Sequence, residues 1–264
     1  MDLETRKKWG IMVQAVVIML LLLIPRSIID ILGYDTVPIN PVVGAFISGA
    51  IFTLAIIFTG TFTDFKESEK AGGELAAALK ALYNDSRVLP LTDETPARVF
   101  RAHIRDLLRT MNRCFQENSW NLPDINREMD KVNNDIRVLS YAGVAPPLIV
   151  KLRNELGVID KMTNRIEVII RTDFIPAAYA LAEVATASVI VLLLFVDIDP
   201  LPEATIVFAV ISSMLIGLLL LIRDMDNPFE IGEHTFADVD LETLDYLETY
   251  FEEQEAAETG QGST

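Results

Sequence analysis

Four arginines, Arg101, Arg105, Arg109 and Arg113, recur at intervals of four residues. On a helix this spacing sets the guanidiniums along one slowly rotating face. The row has two readings. It lines a water-filled vestibule and raises the local anion concentration, or it is a solvated face that pairs with the chain's own acids. An acid inside a membrane span is costly and is a functional candidate by default. Glu183 is such an acid, about two turns from the predicted cytoplasmic end of an apolar run, and reads equally as an ion-path residue or a hydrogen-bonded structural group. In a second apolar run, Pro41–Gly60, Val42, Phe46, Ala50 and Thr53 fall near one face, with Gly44, Ser48 and Gly49 interleaved. A ring of Val and Phe around an axis makes a constriction that gates by dewetting. Small residues also mark a close helix–helix contact, and Phe46 then faces lipid.

Other chemistry is excluded. His103 and His234 are too few and too far apart for a metal site. Cys114 is alone, so no intrachain disulfide forms. No Gly-rich phosphate loop, Ser-His-Asp set or Cys/His cluster is present. We therefore expect no enzyme, no cofactor and no metal.

The elements that must position these residues are helices in a membrane. Ile11–Ile24, Val42–Thr59, Phe174–Val196 and Ala204–Ile222 are apolar, and a bilayer core needs roughly 20 such residues of helix. The first stretch reaches that length by recruiting Trp9, Gly10 and the residues around Pro25. Arg6, Lys7 and Lys8 before it imitate a signal peptide, but no small-x-small cleavage site follows, so it reads as a retained span. Basic residues mark the cytoplasmic side. Arg6–Lys8, the many bases of 66–171 and Arg223 all fall inside, and Asp197–Glu203, with acids only, falls outside. The expected fold is all-α: a multi-pass protein of the cell membrane with four transmembrane helices and both termini cytoplasmic. Its parts are spans one and two (1–63), a helical cytoplasmic insert (64–172), spans three and four (173–223) and an acidic tail (224–264). The net charge of −16 is concentrated in that tail, where acids from Asp224 to Glu258 face one base, Arg223. Such a tail avoids anionic lipid and nucleic acid, and it also suits a high-salt habitat.

Within the insert, Leu75, Leu79 and Leu82 recur at helical spacing, so Glu67–Tyr83 extends span two, with Gly72-Gly73 as a weak point. Thr92–Pro96 starts a helix, with Thr92 or Asp93 as its cap. Asn121-Leu-Pro-Asp reads as a turn before a helix over Asp124–Tyr141. Pro146-Pro147 is a break, and Leu148–Arg171 runs on into span three. Glu252–Thr264 is polar and expected to be disordered.

Three segments carry a resemblance. Span three begins Asp173-Phe-Ile-Pro176-Ala-Ala-Tyr179, span four is followed by Asn227-Pro228-Phe229-Glu230, and span two contains Phe46-Ile-Ser-Gly-Ala-Ile-Phe-Thr-Leu54. In order, spacing and topology they resemble the segments of bestrophins: an aromatic-Ile-Pro-x-x-Tyr start, an Asn-Pro-Phe-Gly followed by acids, and a Phe-x-x-Gly-x-x-x-Thr-Leu. The resemblance covers residues 10–250, and the shorter prokaryotic branch is most similar. It implies a homopentamer around one axial pore, with a hydrophobic neck from the second helix and a cytoplasmic vestibule with a second constriction. Val42, Phe46 and Ala50 take neck positions, flanked by Gly49 and Thr53. Ala50 replaces an aromatic of animal members, which implies a wider neck. The family consists mostly of anion channels, and some bacterial relatives favour cations. Animal members bind calcium through consecutive acids after this motif. Here Ile231, Gly232, His234 and Thr235 interrupt Glu230 and Glu233, so no calcium clasp is expected. The expected function is an oligomeric channel for anions such as chloride, whose partners are the lipid bilayer, permeant small ions and copies of itself. The alternative is a membrane-anchored scaffold or sensor whose cytoplasmic helices bind a partner. A small transporter or intramembrane enzyme would rest on Glu183.

Overall fold

The computed structural model describes residues 3–171, 176–230 and 235–261, with side chains from residue 8 to residue 257. Arg6 and Lys7 before span one, the expected start of span three at Asp173, and the 231–234 interruption of the acids lie outside the described side chains. Among the described residues the chain is helical: α1 (Leu3–Ile31), α2 (Pro41–Arg87), α3 (Thr95–Gln116), α4 (Leu122–Tyr141), α5 (Pro146–Arg171), α6 (Pro176–Phe195), α7 (Leu201–Asp224) and α8 (Glu242–Gln261). Two short strands, β1 (Val37–Pro38) and β2 (Val196–Asp197), pair in parallel, Val37 opposite Val196. The helices divide between two compact units, and α2 contributes its residues 41–65 to one and 66–87 to the other.

The first unit holds α1, the start of α2, α6 and α7. Each carries a stretch long and apolar enough to cross a membrane: Lys8–Ile31 in α1, the start of α2, Pro176–Phe195 and Leu201–Asp224. This is a membrane protein. Helices are the economical answer there, because every backbone N–H and C=O is satisfied inside the segment. Asn40 starts α2 by accepting from the Val42 and Val43 amides, both at 3.0 Å, and Pro41 fills the first-turn position that needs no donor. Pro25 lies within α1, where the sequence placed the limit of the first apolar run. The next residue, Arg26, is only 4 % exposed, and its Nη1 donates to the Leu194 carbonyl at 2.7 Å. A cation on a carbonyl in the last turn of α6 satisfies an acceptor that has no partner in its own helix. Ala50, Leu54 and Ile57 of α2, Ala182, Val189 and Leu193 of α6, and Phe208, Leu215 and Ile222 of α7 form the unit's core. On the other side of α7, a Cβ at Gly217 would stand 3.6 Å from that of Ala15, so α1 and α7 approach through small residues. After α7, Asp224 Oδ2 accepts from the amides of Phe236 (2.9 Å) and Ala237 (2.6 Å), tying these two residues to the end of the helix. The Phe236 ring lies where a side chain at Gly10 would be.

The second unit holds the rest of α2 with α3, α4, α5 and α8. Phe100, Ile104, Leu107, Leu108 and Met111 of α3 are fully buried, as are Val132, Ile136 and Leu139 of α4 and Ile159 and Ile166 of α5. These are the apolar stripes of ordinary amphipathic helices. Glu94 occupies the N-cap position of α3 without a side-chain cap bond, so neither Thr92 nor Asp93 is the cap; Asp93 Oδ1, one residue earlier, accepts from the Thr95 amide at 2.9 Å. The hydrogen bonds from Thr95 hold the Asp93 carboxyl below its usual range. Asn121 caps α4, which begins at Leu122 rather than Asp124, and Pro146-Pro147 opens α5 rather than only breaking the chain before it. Gly72-Gly73 leaves α2 unbroken, with Val239 and Leu241 in contact range of Gly72.

One expectation is overturned. The tail past Glu252 is not disordered through its described part, because α8 runs to Gln261. Leu244, Leu247 and Phe251 recur at three and four residues and are buried, giving an acidic helix one narrow apolar stripe. Phe251 stacks on Tyr83 of α2, ring centroids 4.0 Å apart, and its carbonyl accepts from the Tyr83 hydroxyl at 3.3 Å. Deleting a buried Phe ring costs about 3–5 kcal/mol. Phe251→Ala is expected to release α8: its amides lose hydrogen-exchange protection while those of α1 and α7 keep theirs.

Candidate functional site

Span two has two apolar faces. Val43, Ile47, Ala50, Leu54 and Ile57 turn toward α6 and α7 of the same chain or lie partly covered. Around the helix from them, Val42 is 76 % exposed and Phe46 48 %, with Gly49 and Phe52 also exposed. Of the expected neck residues, Ala50 is the exception. At 8 % exposure it belongs to the protomer core, so the available row narrows to Val42, Phe46, Gly49 and the half-buried Thr53. The reason is angular. Steps of four along a helix advance about 40° beyond a full turn, and two such steps carry the row from Val42 round to the core side. The Thr53 hydroxyl donates to the Gly49 carbonyl at 2.9 Å, so this polar group is engaged along its own helix. Gly44 and Gly49 have nothing within 4 Å of an added Cβ. Among the described residues, therefore, Gly44 and Gly49 make no close helix contact within the chain, whereas Ala50 does.

The four arginines lie on α3 and fan outward by the same arithmetic. Arg101 is buried and donates to the Ser86 carbonyl at 3.4 Å, and Arg113 is exposed. Between them, Arg105 pairs with Glu255, and Arg109 donates to Glu252 at 2.6 Å and Glu248 at 3.1 Å. Hydrogen bonds from Arg109, first to Glu252 and then to Glu248, push the guanidinium's pKa further up. Asn112 donates to Glu248 at 2.9 Å. The acids of the tail are thus laid along the arginine face.

Glu183 lies exposed on α6, about two turns from its first residue and outside the unit's core. An uncovered carboxylate at that depth needs water or another protein surface.

Against solved structures, the chain superposes on a bacterial bestrophin homologue from Klebsiella pneumoniae with a TM-score of 0.72, 15 % identity, and 92 % and 96 % of the two chains covered. Two single-residue variants of a bestrophin homologue from that organism give 0.74 (14 % identity, 94 % and 98 % covered) and 0.73 (14 %, 93 % and 97 %). The chain has the bestrophin fold. No protein-family model and no curated protein matches the sequence.

The segments that resemble bestrophins help hold this bestrophin fold. Pro176 is the first residue of α6, and the Tyr179 hydroxyl donates to the Ile222 carbonyl at 3.0 Å, closing an acceptor in the last turns of α7. After α7, Asn227 is exposed and Pro228 buried. In the second unit Phe229 is buried, its ring 5.7 Å from that of Phe115, which also packs on Trp120.

Several contacts have no pattern that singles them out in the sequence. His103 Nδ1 lies 2.5 Å from Asp135, linking α3 to α4. Lys151 holds Asp85 at 2.7 Å, and that hydrogen bond raises the lysine's pKa. Lys80 lies 5.2 Å from the Tyr250 ring centroid. Among the described residues no group of His, Cys, Asp or Glu is arranged to hold a metal ion.

Arg109 is nearly half exposed, so its pair is worth little and is screened by salt. A double-mutant cycle of Arg109→Ala with Glu252→Ala, read by α8 exchange protection, is expected to give a coupling of about 0.5–1 kcal/mol at low salt. At 1 M salt that coupling should vanish.

Proposed function

We propose that this protein is an oligomeric ion channel of the cell membrane, conducting anions through a pore lined by the exposed face of its second span. The observation that carries the reading is the bestrophin fold over more than nine-tenths of both chains compared. The bestrophin resemblance of the sequence implies five copies around one axis, with both termini cytoplasmic.

Two features of the spans support it. Val42, Phe46 and Gly49 are left uncovered by the protomer, and a ring of such residues is a dewetting constriction. Glu183 is left uncovered too, and assembly supplies the water or the neighbouring surface it requires. In the vestibule of this reading, α8 acids offset Arg105 and Arg109 while Arg113 remains exposed. Discrimination between anions and cations is therefore expected to be modest. The second unit exposes Val88, Tyr141 and Val150 strongly, which also suits a scaffold that binds a partner. A view of the purified particle down its axis separates the two: a channel shows a ring with a central water path, a scaffold shows none.

In planar bilayers Phe46→Ala is expected to raise conductance or open probability severalfold by removing an apolar barrier. An assembled variant with unchanged conductance would place Phe46 away from the constriction. Charge reversal at Arg105, Arg109 and Arg113 should shift the reversal potential in asymmetric KCl toward the cation value, and an unmoved potential would leave these residues as structural pairs only.

A further inference from the structure

A groove of about 530 Å³ opens along the first unit between α1 and α7, floored by apolar side chains that include Ile11, Met12, Ile211, Met214 and Leu218. That volume lies within the range of small-ligand sites. Gly217 forms part of its wall, where α1 and α7 come together. From Ile211 to Leu221 it follows α7 for about 15 Å, at 1.5 Å per residue. Half of a bilayer's hydrocarbon core has the same depth.

The two ends differ. Ile51 lines it from the middle of span two, and Lys8 and Phe236 line it where the spans of α1 and α7 begin and end. Among the described residues, Lys8 is the only charged one that lines the groove. Its ammonium lies 5.9 Å from the ring centroid of Trp9, itself half exposed, an arrangement typical of the membrane–water interface. At this end Asp224 receives the Phe236 and Ala237 amides, and Asp238 follows Ala237 directly. Those bonds hold Phe236 and Ala237 in place, and the Phe236 ring closes the end of the groove over Gly10.

We propose that this groove binds one anionic phospholipid, with an acyl chain against α7 and the phosphate at Lys8. Apolar lining of one-leaflet length with a single cation at the boundary matches that amphiphile and no soluble anion. Lys8 ends the basic run Arg6-Lys7-Lys8, which favours a negative headgroup at this end of the groove.

The full-length protein, reconstituted with equal phosphatidylglycerol and phosphatidylcholine and re-extracted in mild detergent, tests this by native mass spectrometry. The expected result is one phosphatidylglycerol retained per chain. Lys8→Gln should lower the preference over phosphatidylcholine about fivefold, the worth of one lysine at a membrane surface. Met214→Trp fills the groove and should abolish retention. Ile206→Trp, at another exposed position of α7, should leave it intact. Equal retention in both tryptophan variants would mean ordinary boundary lipid, and equal retention of the two lipids in wild type would remove the role of Lys8. Either result overturns the proposal. So does absence of lipid together with a Met214→Cys thiol shielded from a membrane-permeant maleimide, since a second copy of the chain then covers the groove.

Discussion

In the spanning unit the controlling constraint is how the faces of α2 are divided. A helix in hydrocarbon satisfies its own backbone, so nothing obliges it to pack except side-chain shape. Ala50, Leu54 and Ile57 meet α6 and α7, and that contact sets the rotation of the helix. With the rotation set, Val42, Phe46 and Gly49 are turned out of the protomer. The same arrangement leaves Gly44 and Gly49 without neighbours and leaves small-residue packing to Ala15 and Gly217 on α1 and α7. The candidate neck is thus a by-product of core packing one quarter-turn away.

The second unit follows a different logic, because water replaces lipid as the competitor. Its helices are amphipathic and bury continuous apolar stripes. The acidic helix α8 joins them through Leu244, Leu247 and Phe251, and the ring stack of Phe251 on Tyr83 is its anchor. Charge then orients what burial attaches: Glu248, Glu252 and Glu255 lie along Arg105 and Arg109. Exposed ion pairs contribute little stability, but here they decide how much of the arginine face is left exposed.

Much of the fold was legible in the sequence because its strongest signals are local. Apolar length marked the four spans, and helical spacing marked Leu75, Leu79 and Leu82 of α2 and the arginine row of α3. Pro96, Asn121 and Pro146 punctuated the helices as their missing N–H or capping oxygen requires. The tail was misread for the opposite reason. Three apolar residues spread over two turns are faint against a background of acids, and composition alone suggested disorder. Gly72-Gly73 was overweighted, since a single-residue propensity of about 1 kcal/mol yields to tertiary packing.

The sequence by itself determined that the chain crosses a membrane, that its helices outside the spans are amphipathic, and that arginines and acids are both available. These follow from composition and spacing along one helix, where geometry is set by the residue count. Only the tertiary structure decided which side of each helix is used. Ala50 went to the core and Phe46 did not, Arg105 and Arg109 met the tail and Arg113 did not, and Lys8 came to sit at the mouth of an apolar groove. Each depends on the rotation of one helix against another, a quantity set by packing between residues distant in sequence and carried by no local pattern.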